Sequence, residues 1–276
     1  MRGRKSMFNN KLKKVAMQET EEAVKIYDIA FENMIKKITE LYDDKWLGVE
    51  ILKEVEKYVE LLANKPYEIE KRIEETNCRR KTFEKEVQKL EKESEKYEKY
   101  SRCAAGAGMA SFGPTAILAV LTNFGPMASA GLAGTVATNA TLAWVFGGSV
   151  AAGGSALIPT ILTLSGPVGW TLGGALLVGS GILNSSKNKK IAEKAEEQTK
   201  EIKNATDKVR RNKKKAEAEI EVLLPLLRGV KVTLKELKEL NKADYNLFTI
   251  EEKDKLICLV NSSEALSKRI EDKLVQ

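Results

Sequence analysis

The chain has 276 residues, of which 31% are charged and only 6% aromatic, and its net charge is +7 at pH 7. It contains no histidine, so it lacks the most common general base and the most frequent transition-metal ligand. Three widely separated cysteines give no C-x-x-C pair and no even count, which argues against a disulfide framework. We therefore predict no catalytic residue, no cofactor and no metal site, and we expect that the protein is not an enzyme.

The N-terminal region, residues 1–102, shows helical periodicity throughout. Apolar residues at helical spacing predict helices over Lys11–Tyr42 and Leu47–Ala63, the second ended by Pro66. Tyr67–Tyr100 has apolar residues at alternating steps of four and three, which is typical of a coiled-coil helix. Polar residues fill the weaker positions of this seam: Thr76, Arg80 and Ser94.

Residues 103–186 form a distinct module of 84 residues without a single Asp, Glu, Lys or Arg. This module holds 16 of the 19 glycines and four of the six prolines, while Leu, Ile, Val, Phe and Met account for only 26 of its residues. A helix of roughly 20 apolar residues crosses a bilayer, so this length suffices for two to four crossings. We call this module the head and predict that it inserts into membranes, with Met127–Phe146 and Pro167–Leu183 as the clearest spans.

Three sets of residues are assigned to membrane contact. The residues predicted to enter the bilayer are Pro114, Ile117, Leu118, Leu121, Phe124, Met127, Leu132, Leu142, Trp144, Phe146, Ile158, Ile161, Leu162, Trp170, Leu172, Leu176, Leu177 and Ile182. Small residues predicted to allow close helix packing are Gly169, Gly173, Ala175 and Gly179. Residues predicted to bind lipid headgroups are Lys187, Lys189 and Lys190.

These assignments have alternatives. The two tryptophans of the head fit the headgroup level of a bilayer, and they fit a protein core equally well. The three lysines would also suit a solvated helix start. The head as a whole has a competing interpretation as a buried helical hairpin of a soluble protein.

The C-terminal region, residues 187–276, is again helical in pattern. Lys187–Leu227 repeats the alternating steps of four and three, and further helices are predicted over Val230–Leu240 and Thr249–Val275. The two long helices that flank the head are expected to pair antiparallel as a stalk, although either could face another helix. The predicted fold class is all-α: an elongated helical bundle or coiled-coil stalk with a Gly/Ala-rich apolar head, which has room for a short β or irregular element.

Positive charge is concentrated in two places, Arg2–Lys14 and Lys187–Lys215. Acidic residues are interleaved elsewhere, so the chain lacks the continuous basic stripe of a nucleic-acid-binding protein. An anionic lipid bilayer is the better candidate partner. The basic N-terminus continues without an apolar stretch, so we expect no signal peptide and synthesis in the cytoplasm.

The layout resembles the α-helical pore-forming toxins, the cytolysin A and haemolysin BL enterotoxin group. Tyr67–Arg102 and Lys187–Leu227 match the stalk of that family, and Cys103–Ser186 matches its apolar head. The resemblance implies that the head extends into membrane and that several copies assemble into a ring. A weaker resemblance is to apolipoprotein L, whose Gly/Ala-rich membrane-addressing region also lies between charged amphipathic helices.

From these features we expect a conditional pore former, bundled at first and inserted as a homo-oligomer after a trigger. It would be membrane-associated or membrane-inserted when active, as a secreted toxin or as an intracellular cell-death or defence effector. Two alternatives stay open. One is a constitutive membrane channel or anchor protein, and the other is a soluble coiled-coil scaffold.

Overall fold

The computed structural model describes residues 2–105 and 185–274, with side chains at 11–90, 92 and 188–274. Within these residues the chain is helical and has no strand, which confirms the all-α class for the described part. The elements are α1 (Arg2–Leu61), α2 (Tyr67–Ala105), α3 (Ser185–Glu239), a 3-10 helix (Tyr245–Leu247) and α4 (Ile250–Glu271). Almost the whole head lies outside the described residues, and the predictions made for it stay predictions.

Two helices are longer than the sequence pattern suggested. The predicted segments on either side of residues 43–46 form the single helix α1, since those four residues include no Gly or Pro. Helix α3 likewise continues beyond Leu227 to Glu239, through Pro225. That proline has no N–H, so it cannot donate the helical hydrogen bond to the carbonyl of Glu221.

The α1–α2 and α3–α4 turns lie side by side. Each contains an asparagine with positive φ, 53° at Asn64 and 52° at Asn241, a conformation that asparagine tolerates better than most residues. The Ala63 N–H donates to Ala243 O at 2.7 Å, and the Tyr245 N–H donates to Ala63 O at 2.9 Å. These two backbone bonds tie the two helical hairpins together.

Helix α4 begins at the site that the sequence predicted. The Thr249 side chain accepts from the Glu252 N–H, and the Glu252 side chain accepts from the Thr249 N–H, which completes a capping box. Glu251 and Glu252 lie in the first turn, and Lys268 and Arg269 lie in the last turn. Acidic groups at the start of a helix and basic groups at its end both interact favourably with the helix dipole.

The chain divides into two compact units. Unit 1 comprises Met1–Lys36 and Ser94–Lys214, and unit 2 comprises Lys37–Glu93 and Lys215–Gln276. Helices α1, α2 and α3 each contribute residues to both units, whereas α4 belongs to unit 2 alone.

Unit 2 is a four-helix bundle. Helix α1 runs antiparallel to α2, since Lys53 pairs with Glu84 at 2.9 Å and Glu56 pairs with Arg80 at 2.7 Å. Helix α1 runs parallel to α3, and the Tyr58 hydroxyl donates to Leu237 O at 3.3 Å.

Helix α4 lies against the other three helices of unit 2. Arg72 of α2 pairs with Glu264 at 2.8 Å, and Glu219 of α3 pairs with Arg269 at 3.2 Å. In the described part of unit 2, polar contacts thus join α2 to α1 and α4, and Glu86 of α2 also pairs with Lys273, just beyond the end of α4, at 3.0 Å. The sequence had led us to expect α2 to pair with α3.

The heptad positions of α3 are its most buried residues. In the described part they recur every seven residues and have at most 1% exposure: Ala195, Ile202, Val209, Ala216, Leu223, Val230 and Leu237. The predicted seam of α2 is also buried from Ile69 to Val87, including its polar members Thr76 and Arg80, whereas the side chain of Ser94 lies outside the described residues. Alternating steps of four and three correctly predicted which faces these helices bury.

Candidate functional site

The described residues end where the candidate membrane site begins. The predicted inserting residues from Pro114 to Ile182, and the packing residues from Gly169 to Gly179, lie outside them. Of the three headgroup candidates, Lys189 and Lys190 are exposed in the first turns of α3. Lys189 lies 3.6 Å from Glu193 of the same helix.

Both connections to the head belong to unit 1, where α2 ends and α3 begins. Near the start of α3, this unit is packed through small residues: Ala16 of α1 clusters with Ala192 and Ala195. The Thr20 hydroxyl lies 2.8 Å from the Thr199 hydroxyl and 3.1 Å from Ala195 O. Such contacts bury little apolar surface, and the apolar area removed from water sets the strength of packing.

Polar residues occupy much of the buried face that α3 presents in unit 1. Four of them are at most 8% exposed: Asn188, Thr199, Thr206 and Asn212. Thr199 and Thr206 donate to carbonyls one turn earlier in their own helix. Each of these two hydroxyl groups thus makes a hydrogen bond within α3.

Several ion pairs in the described part of unit 1 lie within single helices. They join residues three or four apart, as in Lys25–Glu21, Lys36–Glu32, Lys189–Glu193 and Arg210–Asp207. Unit 2 has interhelical pairs between α1 and α2, between α2 and α4, and between α3 and α4. Ion pairs between helices are therefore a feature of the described part of unit 2.

Charge is also divided unequally between the units. Counting Lys and Arg against Asp and Glu gives net +10 for unit 1 and net −3 for unit 2, which sum to the chain's +7. The excess lies mainly on α3, where Lys200, Lys203, Arg211 and Lys214 are exposed. Among the described residues, these four side chains have no ion-pair partner within 4.0 Å.

Arg80 connects α1 and α2 inside unit 2. Its side chain is 5% exposed and binds Glu56 on α1 at 2.7 Å and Glu84 on α2 at 3.0 Å. Lys53 reaches the same Glu84 at 2.9 Å. A buried arginine held by two carboxylates fixes the register of the two helices, since any slip would leave its charge unpaired.

Lys45 is the most buried charge in the described chain, at 1% exposure. Its ammonium group donates to the carbonyl oxygens of Arg269 at 2.7 Å and Asp272 at 2.5 Å, where α4 ends. Burial lowers the pKa of Lys45 to about 8, and the carboxylates of Glu219 and Asp272 oppose that change. The group satisfies carbonyls that would otherwise lack donors at a helix C-terminus.

The described residues hold neither a membrane-length apolar helix nor a metal-binding group. No helix among them is long and apolar enough to cross a bilayer. No three His, Cys, Asp or Glu side chains in those same ranges are placed to hold a metal ion. The thiols of Cys78 and Cys258 are free and exposed.

Comparisons of the chain with protein-family models, with curated proteins and with solved structures give no match.

Sequence reasoning missed two features of the described part. Lys45 fell between two predicted helices, and its burial depends on the end of α4 more than 220 residues away. The second is a row of exposed apolar residues on α1 in unit 1: Leu12, Val15, Ile26 and Ile29. A helical projection places all four within an arc of about 100°, so this row was visible in the sequence.

Proposed function

We propose that this protein is a non-enzymatic, membrane-permeabilising protein that inserts its head into an anionic bilayer and oligomerises there. The observation that carries the proposal is the run of 84 residues without a charged side chain in a chain that is 31% charged. Water-soluble cores seldom continue this long without a charged residue on an outer face.

The charge distribution of the described helices supports the same partner. The head joins α2 and α3 within unit 1, the unit with net +10. Lysine and arginine near a membrane surface are attracted to anionic headgroups. A unit with excess positive charge that is joined to an uncharged module favours an anionic lipid surface over a neutral or cationic partner.

The packing of unit 1 supports a conditional mechanism. The large buried residues of unit 1, among them Tyr27, Phe31 and Ile202, lie farther from the head, and the contacts between α1 and α3 near the head are small and polar. Such a seam separates more readily than the apolar, ion-paired bundle of unit 2. We propose that unit 1 rearranges when the head enters lipid while unit 2 stays folded.

Dye release from liposomes tests this proposal. Purified protein should release a small trapped dye from vesicles that contain anionic lipid, and Leu176→Asp should abolish release. A central Asp costs on the order of 3 kcal/mol on insertion scales. The matched control is Leu61→Asp, at a leucine of unit 2 that is 80% exposed, which should release dye as the wild type does.

Circular dichroism on the same variants separates the outcomes. A folded Leu176→Asp protein that releases no dye supports lipid exposure of the head. A folded protein that still releases dye would place Leu176 in a water-filled lumen, and an unfolded one would return the head to a soluble core. No release by the wild type from any tested lipid would remove the proposal.

A helical scaffold is the second candidate, favoured by the regular heptad of α3. Its seven core positions from Ala195 to Leu237 recur every seven residues, as in proteins whose role is to hold partners at a distance. A scaffold of this kind would neither bind nor permeabilise vesicles.

A further inference from the structure

The α1 and α3 segments of unit 1 run parallel and contact each other through defined faces. The Thr20 hydroxyl contacts Ala195 O and the Thr199 hydroxyl, and Ala16 clusters with Ala192 and Ala195. These contacts fix which side of each helix faces the other. The remaining sides can then be located at 100° per residue.

On α1, an apolar stripe lies beside the contact face. Its members are 38%, 47%, 50% and 62% exposed, in the order Leu12, Val15, Ile26 and Ile29. Around the axis of α1, the stripe is centred about 100° from the contact residues Ala16, Thr20 and Ala23. The rotation from these residues to the stripe is opposite to the one that follows increasing residue number. Glu19 and Glu22 project from the same side, so the stripe is not continuous.

On α3, a basic ladder occupies the corresponding position. Its members are exposed: Lys200, Lys203, Arg210, Arg211 and Lys214. Only Arg210 has a described ion-pair partner, Asp207 at 4.0 Å. The ladder is centred about 75° from the line of Ala192, Ala195 and Thr199, in the direction in which the numbering advances.

The two helices are parallel and face each other across their shared contact. A rotation about the axis of α1 in one sense and about the axis of α3 in the opposite sense therefore leads to the same side of the helix pair. The apolar stripe and the basic ladder therefore form one composite face. The stripe is about 25 Å long and the ladder about 21 Å. Faces that combine apolar residues with lysine and arginine are typical of helices that lie in the plane of a membrane interface.

We propose that this composite face docks unit 1 on the surface of an anionic bilayer, with its α1 and α3 segments lying along the membrane. The inference rests on the proposed function, and it adds a lipid contact distinct from the head. Charge complementarity selects the partner, since the ladder supplies five basic side chains and the exposed acidic residues on the same side of α3 are fewer: Glu193, Glu196 and Asp207. A flat surface can contact the full length of both rows only when the helices lie parallel to it.

Vesicle flotation of the full chain tests the ladder. The variant Lys203→Glu/Arg210→Glu/Lys214→Glu should bind phosphatidylglycerol-containing vesicles at least about tenfold more weakly than the wild type. The matched control is Lys71→Glu/Lys85→Glu/Lys231→Glu, which reverses three exposed lysines of unit 2 and should change binding by less than about twofold. Added salt should weaken wild-type binding and narrow the difference between wild type and ladder variant.

A second pair of variants tests the apolar stripe. Ile26→Ser/Ile29→Ser should weaken vesicle binding several-fold, whereas Val222→Ser/Val232→Ser, which are 43% and 55% exposed in unit 2, should not. Circular dichroism should show equal helix content in all four variants, since every substituted side chain is at least partly exposed.

The outcomes separate this face from the proposed function. Equal vesicle binding by the ladder variant and its control would overturn the proposed docking of this face on a bilayer, whatever the result of the dye-release assay. Weakened binding of duplex DNA with unchanged vesicle binding would also overturn it, in favour of a nucleic-acid surface. If the wild type binds vesicles through the ladder but releases no dye, the face stands and the proposed function fails.

Discussion

Units 1 and 2 are built partly from the same helices and yet use different chemistry to join them. In unit 2, α1 and α3 contribute leucine, isoleucine and valine to the core, and ion pairs connect α2 and α4 to their neighbours. In unit 1 the seam near the head consists of Ala16, Ala192, Ala195 and two threonines. The same continuous helices thus present different kinds of contact along their length, and we expect the contacts of unit 2 to hold more firmly than those near the head.

Hydrogen exchange provides the most direct way to break this comparison. Backbone amides of α1 in residues 38–59 should exchange roughly a hundredfold more slowly than those in residues 16–31, because local opening depends on buried apolar contact. Mass spectrometry of peptides from the two stretches measures the ratio. Equal protection would mean that both units open together and that the contrast in packing has no energetic consequence.

Removing the ammonium group of Lys45 should have the next largest effect. Lys45→Met keeps a side chain of similar length but removes the donor to the carbonyls of Arg269 and Asp272. This loss should lower the free energy of unfolding by about 2–3 kcal/mol. Urea denaturation measures the loss. Lys231→Met, at an exposed lysine of the same unit, is the control and should stay within about 0.5 kcal/mol.

Two glycines sharpen the comparison between close packing and open surface within unit 2. An added Cβ at Gly48 would lie 2.7 Å from Ile270 Cδ1 and 3.2 Å from Leu227 Cδ2, whereas at Gly229 it meets nothing within 4 Å. Gly48→Ala should therefore cost about 1 kcal/mol after its gain in helix propensity. Gly229→Ala should stabilise by about 0.5–1 kcal/mol.

Thermal unfolding of the two alanine variants provides the readout. Opposite shifts of Tm are expected, downward for Gly48→Ala and upward for Gly229→Ala. An upward shift for both would show that α4 does not approach α1 closely at Gly48.

The smallest expected effect is the acid titration of Glu264. Hydrogen bonds from Lys268 and Arg72 lower its pKa to about 2, below its ordinary value of 4.5. Because the folded state holds this carboxyl ionised more strongly, its contribution is complete above pH 4.5 and is lost as the pH falls towards 2. The free energy of unfolding, measured by denaturation at several pH values in this range, should change less with pH for Glu264→Gln than for the wild type. An identical pH dependence in both proteins would show that the α2–α4 ion pair does not contribute.

Periodicity predicted the helices and their buried faces well, because heptad spacing is a local property. Thr76 and Arg80 were assigned to the α2 seam despite their polarity, and both are buried. The partner of each helix was harder to predict, since spacing indicates a face but not what covers it. Described ion pairs join α2 to α1 and α4, and no local signal in α2 distinguishes these helices from α3.

Other features depended on distant residues. The sequence around Lys45 resembles any solvated charge run, and only the end of α4 turns it into a buried donor. The candidate site was predictable in its composition, as a stretch without charge, and its basic surroundings were partly anticipated. The composite face of α1 and α3 could not be predicted because it requires knowing that these helices are parallel, which follows from contacts across 175 to 179 residues.

The order of these contacts along the chain has a consequence for synthesis. Helix α1 needs α3 and α4 to bury its core residues, but the ribosome makes the whole head before either of them. About 90 residues must follow the head, which takes on the order of 5–20 s at typical elongation rates. During that interval the most apolar part of the chain has been made without the bundle of unit 2, so a chaperone or a nearby membrane can contact the head before α4 has been synthesised.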